Sequence, residues 1–363
     1  MHQDYNRIII KRTKKMKKQY ILLTILLGLA TIATTSYAGN PDRQGESGAA
    51  ELLLNPWARS GGIHTLNTSS VMGIEAMRLN IAGLGRISGK EFVLASTRLY
   101  DGSDINLNAF GYGQKVGKNG ALGISLMAVD FGENIVTTED SPAGTGATFS
   151  PSFFNLGIGY SYTYDNKISV GILFRAISES LPNVSAFGFA VDAGVQYVSG
   201  EKDNFRLGIS LRNVGGPMQF SGEALSFQTP NPDDGTYQIT VSQKAEGFEL
   251  PSVLNIGISY DFFFGEKILL RGICNFTSNA FSRDQLGVGA EFTFNERFTL
   301  RGGYKQDLGS EGNRTNLYSG LAFGASIDLP FSSTLKNRIG VDYGYRATNP
   351  FNGTHNVSVR LAF

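Results

Sequence analysis

The feature that most constrains this chain is a two-residue alternation between large apolar side chains and small or polar ones. Within 155–164, leucine, isoleucine and tyrosine alternate with asparagine, glycine, serine and threonine. The pattern returns in 205–212, 286–294 and 338–346. A two-residue period is typical of a β-strand whose two faces meet different surroundings. The sequence therefore predicts an all-β protein made of two-faced strands.

The composition of the second face indicates which solvent each face meets. The chain has 45 glycines among 363 residues, and glycine recurs opposite the apolar side chains. Glycine weakens a strand, so a water-soluble sandwich seldom lines its outer face with it. A membrane barrel reverses the faces, with apolar side chains toward lipid and small or charged ones toward a polar interior. Charged residues make up only 17% of the chain, which also favours the barrel.

The number and spacing of these segments predict the size of the barrel. Fourteen segments between residues 90 and 363 carry the alternation, and each is near eleven residues long. At ~3.3 Å per residue and ~40° tilt, such a strand rises ~28 Å, the height of a bilayer core. Long connections at 131–152 and 214–250 follow odd-numbered strands, whereas tight turns follow even-numbered ones. We predict a 14-stranded antiparallel transmembrane β-barrel over 90–363 with both termini on the short-turn, periplasmic side.

The first 38 residues have the features of a secretory signal peptide. A basic segment at 7–18 precedes an apolar run at 20–33, and Ser36-Tyr37-Ala38 provides a small-x-small cleavage site. Met16 is a plausible true start. The alternative is an uncleaved anchor, although the apolar run is shorter than the ~20 residues that span a bilayer. Export together with a barrel predicts the bacterial outer membrane.

Residues 39–89 lack the two-residue period. Ala49–Leu54 is an apolar helical turn or two, and Val71, Ile74 and Met77 recur at helical spacing. The segment is too apolar for a free tail, so we predict a hatch inside the barrel. A small periplasmic cap is the alternative.

Charged side chains fall on predicted lumen positions. Because an unpaired buried charge is costly, we expect ion-pair networks across the lumen, with a charged pore lining as the alternative. The network predicted from the alternation consists of Arg175, Asp192, Arg206, Arg212, Asp261, Arg271, Glu291, Arg301, Asp342 and Arg360. On the outer face, an aromatic girdle is predicted at Tyr160, Tyr162, Tyr164, Tyr260 and Phe262 to Phe264.

The sequence contains no recognisable catalytic constellation. The histidines are His2, His64 and His355, which are too scattered for a metal site, and Cys274 is the single cysteine. No Gly-x-Ser-x-Gly motif occurs. We therefore predict a protein that is not an enzyme and has no metal, no cofactor and no nucleic-acid partner.

Two short motifs resemble a known family. Residues 56–62 (PWARSGG) with Glu75-Ala76 and 80–84 (NIAGL), and the closing segment 343–355, are similar to PorV/PorQ-type proteins, within the FadL-like long-chain fatty-acid transporter barrels. Ile81 stands where that family usually has proline. The hatch motif is represented by Trp57, Arg59, Asn80 and Gly83. The resemblance implies a type IX secretion component that binds cargo C-terminal signal domains and associates with the translocon barrel. It also implies that the protein passes cargo to a cell-surface attachment complex.

The sequence leaves more than one function open. An interaction protein would use its long loops, and the alternative for their apolar residues is that they only fold the loops onto the rim. A FadL-like transporter of hydrophobic small molecules would need a continuous apolar pocket and a kinked strand with a lateral exit. An enzyme that acts in the outer leaflet is a third alternative. The candidate partner-binding residues in the loops are Phe131, Phe149, Pro151, Met218, Phe220 and Phe227.

Overall fold

The computed structural model describes residues 43–232, 235, 237–309, 317–318, 320–331, 337–348 and 351–363. The predicted signal peptide at 1–38, with Met16, lies outside these residues. Within them, no helix combines the length and the apolar character needed to cross a membrane.

Fourteen strands form one closed antiparallel barrel, as predicted. Each strand pairs with its neighbours in the chain, and the first and last close the barrel through pairs such as Arg98 with His355. The strands are β1 Lys90–Leu99, β2 Ile105–Val116, β3 Gly120–Asp130, β4 Ser152–Tyr164, β5 Ile168–Leu181, β6 Val184–Ser199, β7 Phe205–Gly215, β8 Val253–Phe264, β9 Ile268–Asn279, β10 Gln285–Phe294, β11 Phe298–Asp307, β12 Gly320–Pro330, β13 Arg338–Arg346 and β14 Thr354–Ala362.

The two ends of the barrel differ in their connections. At one end the chain turns within a few residues, and Asp165 and Asn166 both adopt positive φ, as tight hairpins require. At the other end the connections 131–151 and 216–252 are long. They contain three small hairpins, Asn134–Ile135 with Thr148–Phe149, Met218–Gln219 with Gly247–Phe248, and Ser226–Pro230 with Gln238–Ser242.

The outer surface carries the apolar belt of a membrane barrel. On β4 the outward positions are apolar or aromatic from Phe154 to Tyr164. The belt is much shorter on β1, where only Phe92 and Leu94 are outward and apolar before Ser96 follows. One predicted girdle residue differs, because Phe262 is 8% exposed and its ring packs 4.8 Å from that of Tyr260.

Residues 43–89 form the hatch, which lies inside the barrel. It contains the short helices α1 Ala58–Gly61 and α2 Ala76–Leu79, and the 3-10 turns Ala50–Leu53, Gly73–Glu75 and Ile81–Arg86. Its largest side chain, Trp57, is buried.

Glycine on the inner wall lets the hatch backbone contact the strands directly. A Cβ on Gly344 would lie 2.5 Å from the carbonyl oxygen of Ala58, and one on Gly324 would lie 2.9 Å from the Cα of Gly62. No side chain fits at these two positions, so the glycines opposite the lipid face are explained by close packing against the hatch.

The first described residues lie at the long-loop end. Arg43 forms an ion pair with Glu249 at 3.0 Å, and its guanidinium lies 4.4 Å from the ring centre of Phe281. Phe363 lies at the opposite end, hydrogen-bonded to Lys90. The hatch therefore begins on the side opposite to the one predicted for both termini, because its first residues pair with a loop that follows β7.

Candidate functional site

The lumen is divided into a charged wall and an apolar wall. The charged wall occupies the short-turn half of β7–β14. Asp261 pairs with Arg206 at 3.2 Å and with Arg271 at 2.6 Å. Glu291 continues the chain of ion pairs to Arg271 at 3.2 Å and to Arg301 at 3.3 Å. Alternating signs at these distances neutralise one another.

The same wall continues through β12–β14. Arg301 donates to the Ser326 hydroxyl at 2.7 Å, and Ser326 donates to Asp342. Arg360 pairs with Asp328 and lies 3.9 Å from Asp342. These contacts are those expected of structural pairing in a filled barrel.

A separate ion pair joins the wall to the hatch. Arg175 and Asp192 lie 2.6 Å apart, and Arg175 also donates to the carbonyl of Met77 at 3.3 Å. Asp192 accepts from the backbone N–H of Asn213 at 2.7 Å. This cluster fixes the position of the hatch against β5 to β7.

The hatch motif residues hold the hatch together. Asn80 donates to the carbonyls of Thr68 at 3.1 Å and Val195 at 3.0 Å, and accepts from Ala82 at 3.2 Å. Gly83 packs against the carbonyl of Val71, where any side chain would collide. These contacts give Asn80 and Gly83 a role in folding.

Arg59 faces the acidic groups in the short-turn half of the lumen. Burial alone would lower the pKa of Arg59, but the carboxylates of Glu75 and Asp342 outweigh it and raise that pKa. Glu75 accepts hydrogen bonds from the backbone and hydroxyl of Ser60, and burial raises the pKa of Glu75. The hatch thus extends the charge network of the wall.

The apolar wall is the feature that sequence reasoning missed. Buried side chains from β1–β3 and β5 pack with the hatch in one continuous cluster, which we call the apolar column. The column extends from Ile87, near the start of β1, to Tyr100 and Phe131 at the long-loop end. The sequence did contain a signal, because 92–95 (FVLA) is apolar at consecutive positions, which indicates that both strand faces are apolar there. Its wall and hatch members include Trp57, Ile74, Met77, Leu84, Val93, Ala95, Leu107, Ala109, Met127 and Leu173.

A cavity of about 260 Å³ lies above the hatch at the long-loop end. Leu54 and Tyr100 line one side of it and also border the apolar column. Arg212, Lys305 and Arg346 also line it. The cavity is therefore amphipathic.

Most of the candidate loop residues fold the loops onto the rim. Met218 is 1% exposed and packs in a rim cluster, so it is not available as an exposed anchor. The ring of Phe131 lies 4.7 Å from that of Phe153, and the ring of Phe220 lies 5.6 Å from that of Phe248.

The remaining loop candidates differ in exposure. Phe149 and Pro151 are half-buried beside β4. Phe227, on the hairpin 226–242, is 53% exposed. Among the six candidates, Phe227 is thus the one that solvent reaches freely.

Comparison with known proteins identifies solved structures that resemble this barrel. No family model matches the chain, and no curated protein matches it in sequence. The toluene transporter TodX of P. putida superposes with a TM-score of 0.50 at 14% identity, covering 85% of this chain and 99% of TodX. The toluene transporter TbuX of Ralstonia pickettii gives 0.51 at 15% identity, covering 85% and 97%. A Pseudomonas aeruginosa FadL homologue gives 0.50 at 12% identity, covering 84% and 98%.

The chain shares the fold of the FadL-type outer-membrane barrels. Two of these three structures are toluene transporters by their names, and the third is named as a FadL homologue. At these identities the likeness shows the fold alone. It does not test the predicted type IX role, which stays a prediction.

Proposed function

We propose that this barrel carries small hydrophobic molecules across the outer membrane along the apolar column. The observation that carries the proposal is the continuity of the column from Phe131 and Tyr100 at the long-loop end to Ile87. Apolar solutes lose contact with water along such a path. A buried carboxylate beside the path, that of Glu91, accepts a hydrogen bond from the backbone N–H of Ile74 at 3.2 Å. The names of TodX and TbuX, both called toluene transporters, support the same chemical class.

The hatch fills the column, so passage requires the hatch to move. Ile74 and Leu84 pack against Gly111 and Gly113 on the inner face of β2. Passage would therefore open space between the hatch and β2 rather than separate the ion pairs of the charged wall.

The outer face of β1–β4 carries a groove beside the apolar column. The groove has a volume of about 320 Å³, and its lining includes Ala95 and Ala109, whose small side chains point inward to the column. The strand pairing beneath it is unbroken, with Ala95 opposite Ala109 and Ala109 opposite Met127. The register shift of this barrel is instead in β6, between Val191 and Ala193. A lateral exit would thus need β1–β3 to separate locally.

A matched pair of substitutions tests this route. Ala109→Trp fills the column from the inner face, whereas Ala325→Trp adds the same volume on the lipid-facing side of β12, away from the column and the groove. Uptake of labelled toluene by cells carrying only this barrel should fall strongly for Ala109→Trp and remain normal for Ala325→Trp. Equal uptake by both variants would contradict the proposed route.

The second candidate is the type IX secretion role. The observation that favours it is the exposed hairpin 226–242, whose Phe227 and Tyr237 are accessible to a partner. The proposed partners are cargo C-terminal signal domains, the translocon barrel and the attachment complex, with outer-membrane lipid around the barrel. Deleting the gene should then retain cargo inside the cell, and shortening 214–250 should abolish capture of a cargo C-terminal domain. Normal surface cargo after deletion would exclude this role.

A further inference from the structure

The cavity above the hatch contains three cationic side chains from three different strands. Arg212 lies on β7, Lys305 on β11 and Arg346 on β13. Arg346 is 2% exposed and Lys305 is 8% exposed. Buried positive charge is costly unless a negative charge neutralises it. We therefore asked whether the neutralising negative charge comes from the chain itself or from a bound ligand.

The described residues supply no ion-pair partner for these three groups. The other strand arginines of the predicted lumen network do have one, since Arg175, Arg206, Arg271, Arg301 and Arg360 are all paired. The nearby carboxylates already have other contacts. Asp192 pairs with Arg175, and Asp307 accepts from Gln285 at 2.8 Å.

The three cations are held in place by the hatch and by an aromatic ring. Arg346 donates to the carbonyl of Asn55 at 3.1 Å, and its guanidinium lies 4.6 Å from the ring centre of Tyr318. Lys305 donates to the hydroxyl of Thr65 at 3.1 Å, and Arg212 donates to the carbonyl of Arg78. Each group is fixed through neutral acceptors, so none of these hydrogen bonds supplies a negative charge.

Three further donor atoms in the cavity lack an acceptor in the described part of the chain. The Nε atoms of Arg212 and Arg346 and the Nδ2 atom of Asn255 are buried and find no acceptor among the described residues. All three residues line the cavity. His64 also lines it, and burial together with the charges of Lys305 and Arg346 lowers the pKa of His64, so its ring adds no charge.

We propose that this cavity binds a phosphate group through Arg212, Lys305 and Arg346. A phosphate monoester carries about −1.5 to −2 charges and three acceptor oxygens, which suits three cations better than a single carboxylate does. Arginine forks recognise phosphate oxygens in pairs, and lysine adds a point charge. The site shares its cavity with Leu54 and Tyr100, which border the apolar column, and is additional to the proposed hydrocarbon route.

Two sources can supply this chemistry. One is a small phosphorylated solute that reaches the cavity from the long-loop end. The other is the headgroup of a phosphorylated membrane lipid. The shared feature is the phosphate, and the source is decided by comparing probes.

Calorimetry on the full-length protein in maltoside micelles tests the site. Inorganic phosphate, glucose 6-phosphate and a short-chain phosphatidic acid are titrated separately into phosphate-free buffer. At least one should bind the wild type, and Lys305→Gln or Arg346→Gln should weaken that binding about tenfold to hundredfold. Lys305→Arg should retain binding, and Lys167→Gln, which changes an exposed short-turn lysine, should not alter it.

The outcomes show whether the ligand is a phosphate and whether it comes from a lipid or from a solute. Tighter binding of phosphatidic acid identifies a lipid headgroup, and tighter binding of inorganic phosphate or glucose 6-phosphate identifies a solute. Equal binding by wild type and Arg346→Gln, equal affinity for succinate, or no binding of any phosphate probe would overturn the proposal.

Two controls keep the result interpretable. Folding of each variant is verified by the change in gel mobility between unheated and heated samples. Ala109→Trp should bind phosphate as the wild type does, so this site and the hydrocarbon route can fail separately.

Discussion

At the scale of single residues, Arg175 and Asp192 form a short and deeply buried ion pair in the lumen. They are 2.6 Å apart and their side chains are 3% and 4% exposed. Removing one partner of such a pair leaves an uncompensated buried charge, which costs far more than the net contribution of the intact pair. The exposed pair of Lys167 and Asp203, at 2.8 Å, offers a contrast on the same barrel.

Arg175→Met should destabilise the barrel by about 3–5 kcal/mol, whereas Lys167→Met should cost about 1 kcal/mol or less. Urea unfolding in micelles, followed through the fluorescence of Trp57, measures both changes. Similar losses for the two variants would show that burial does not set the strength of these pairs.

Glu51 gives the hatch a dependence on pH. Burial raises the pKa of Glu51 above its ordinary value of 4.5, although the charge of Arg78 opposes the shift. Glu179 and Asn155 face Glu51 from the wall. A raised pKa means that the docked hatch favours the neutral acid. Its contribution to stability is complete below pH 4.5 and is lost as pH rises through the raised pKa.

Glu51→Gln should therefore make hatch docking less dependent on pH. Acrylamide quenching of Trp57 should increase with pH in the wild type and change less in the variant. Glu223→Gln, which alters an exposed loop carboxyl, serves as the control and should behave as the wild type does.

At the scale of elements, the hatch docks through backbone contact. α1 lies on β12 and β13, where Gly324 and Gly344 leave no room for a side chain. Adding volume at such a contact should displace the hatch and leave the strand ladder intact, because Gly344 and Gly324 pair with each other on the inner face.

Gly344→Leu should loosen the hatch, at a cost of about 1–3 kcal/mol, and Ala325→Leu, on the lipid side of β12, should not. Limited proteolysis of residues 43–89 in folded barrels distinguishes the two. Equal protection of the hatch in both variants would show that α1 is not held by this contact.

The strands could be predicted because their signal is local. Alternation in 155–164 or 286–294 reports two environments within ten residues, and neither depends on distant contacts. The apolar column was not predicted because Val93 and Ala109 contact residues of the hatch, and alternation within a strand does not show which distant residues pack against it. The burial of Met218 and the contact of Arg43 with Glu249 likewise depend on loops that fold back over the rim. The cationic cavity is assembled from strands far apart in sequence, so spacing does not reveal it.

At the scale of the whole molecule, the outward side chains determine how the barrel sits in lipid. Ile172 is an exposed outward residue within β5, whereas Tyr164 ends β4 beside the tight turn. The cost of a charge on the lipid face depends on depth, being greatest at the midplane and small near the headgroups.

Ile172→Arg should therefore destabilise the inserted barrel by about 2–4 kcal/mol, and Tyr164→Arg by about 0–1 kcal/mol. Reversible folding into vesicles of phosphatidylcholine, monitored by Trp57 emission, gives both values. A larger loss at Tyr164 would mean that the belt is placed differently along the strand.

The short stretch of apolar surface on β1 has a mechanical consequence. Above Phe92 and Leu94, acyl chains would touch Ser96 and Arg98, while on β4 they stay in contact with the protein from Phe154 to Tyr164. Where the apolar surface of a membrane protein is shorter than the bilayer core, the bilayer becomes thinner locally or the protein tilts. We expect the bilayer to be thinner next to β1 than around the rest of the barrel, and the barrel axis to tilt toward that side. The outer groove over Ala95 and Ala109 would then face the thinnest part of the membrane.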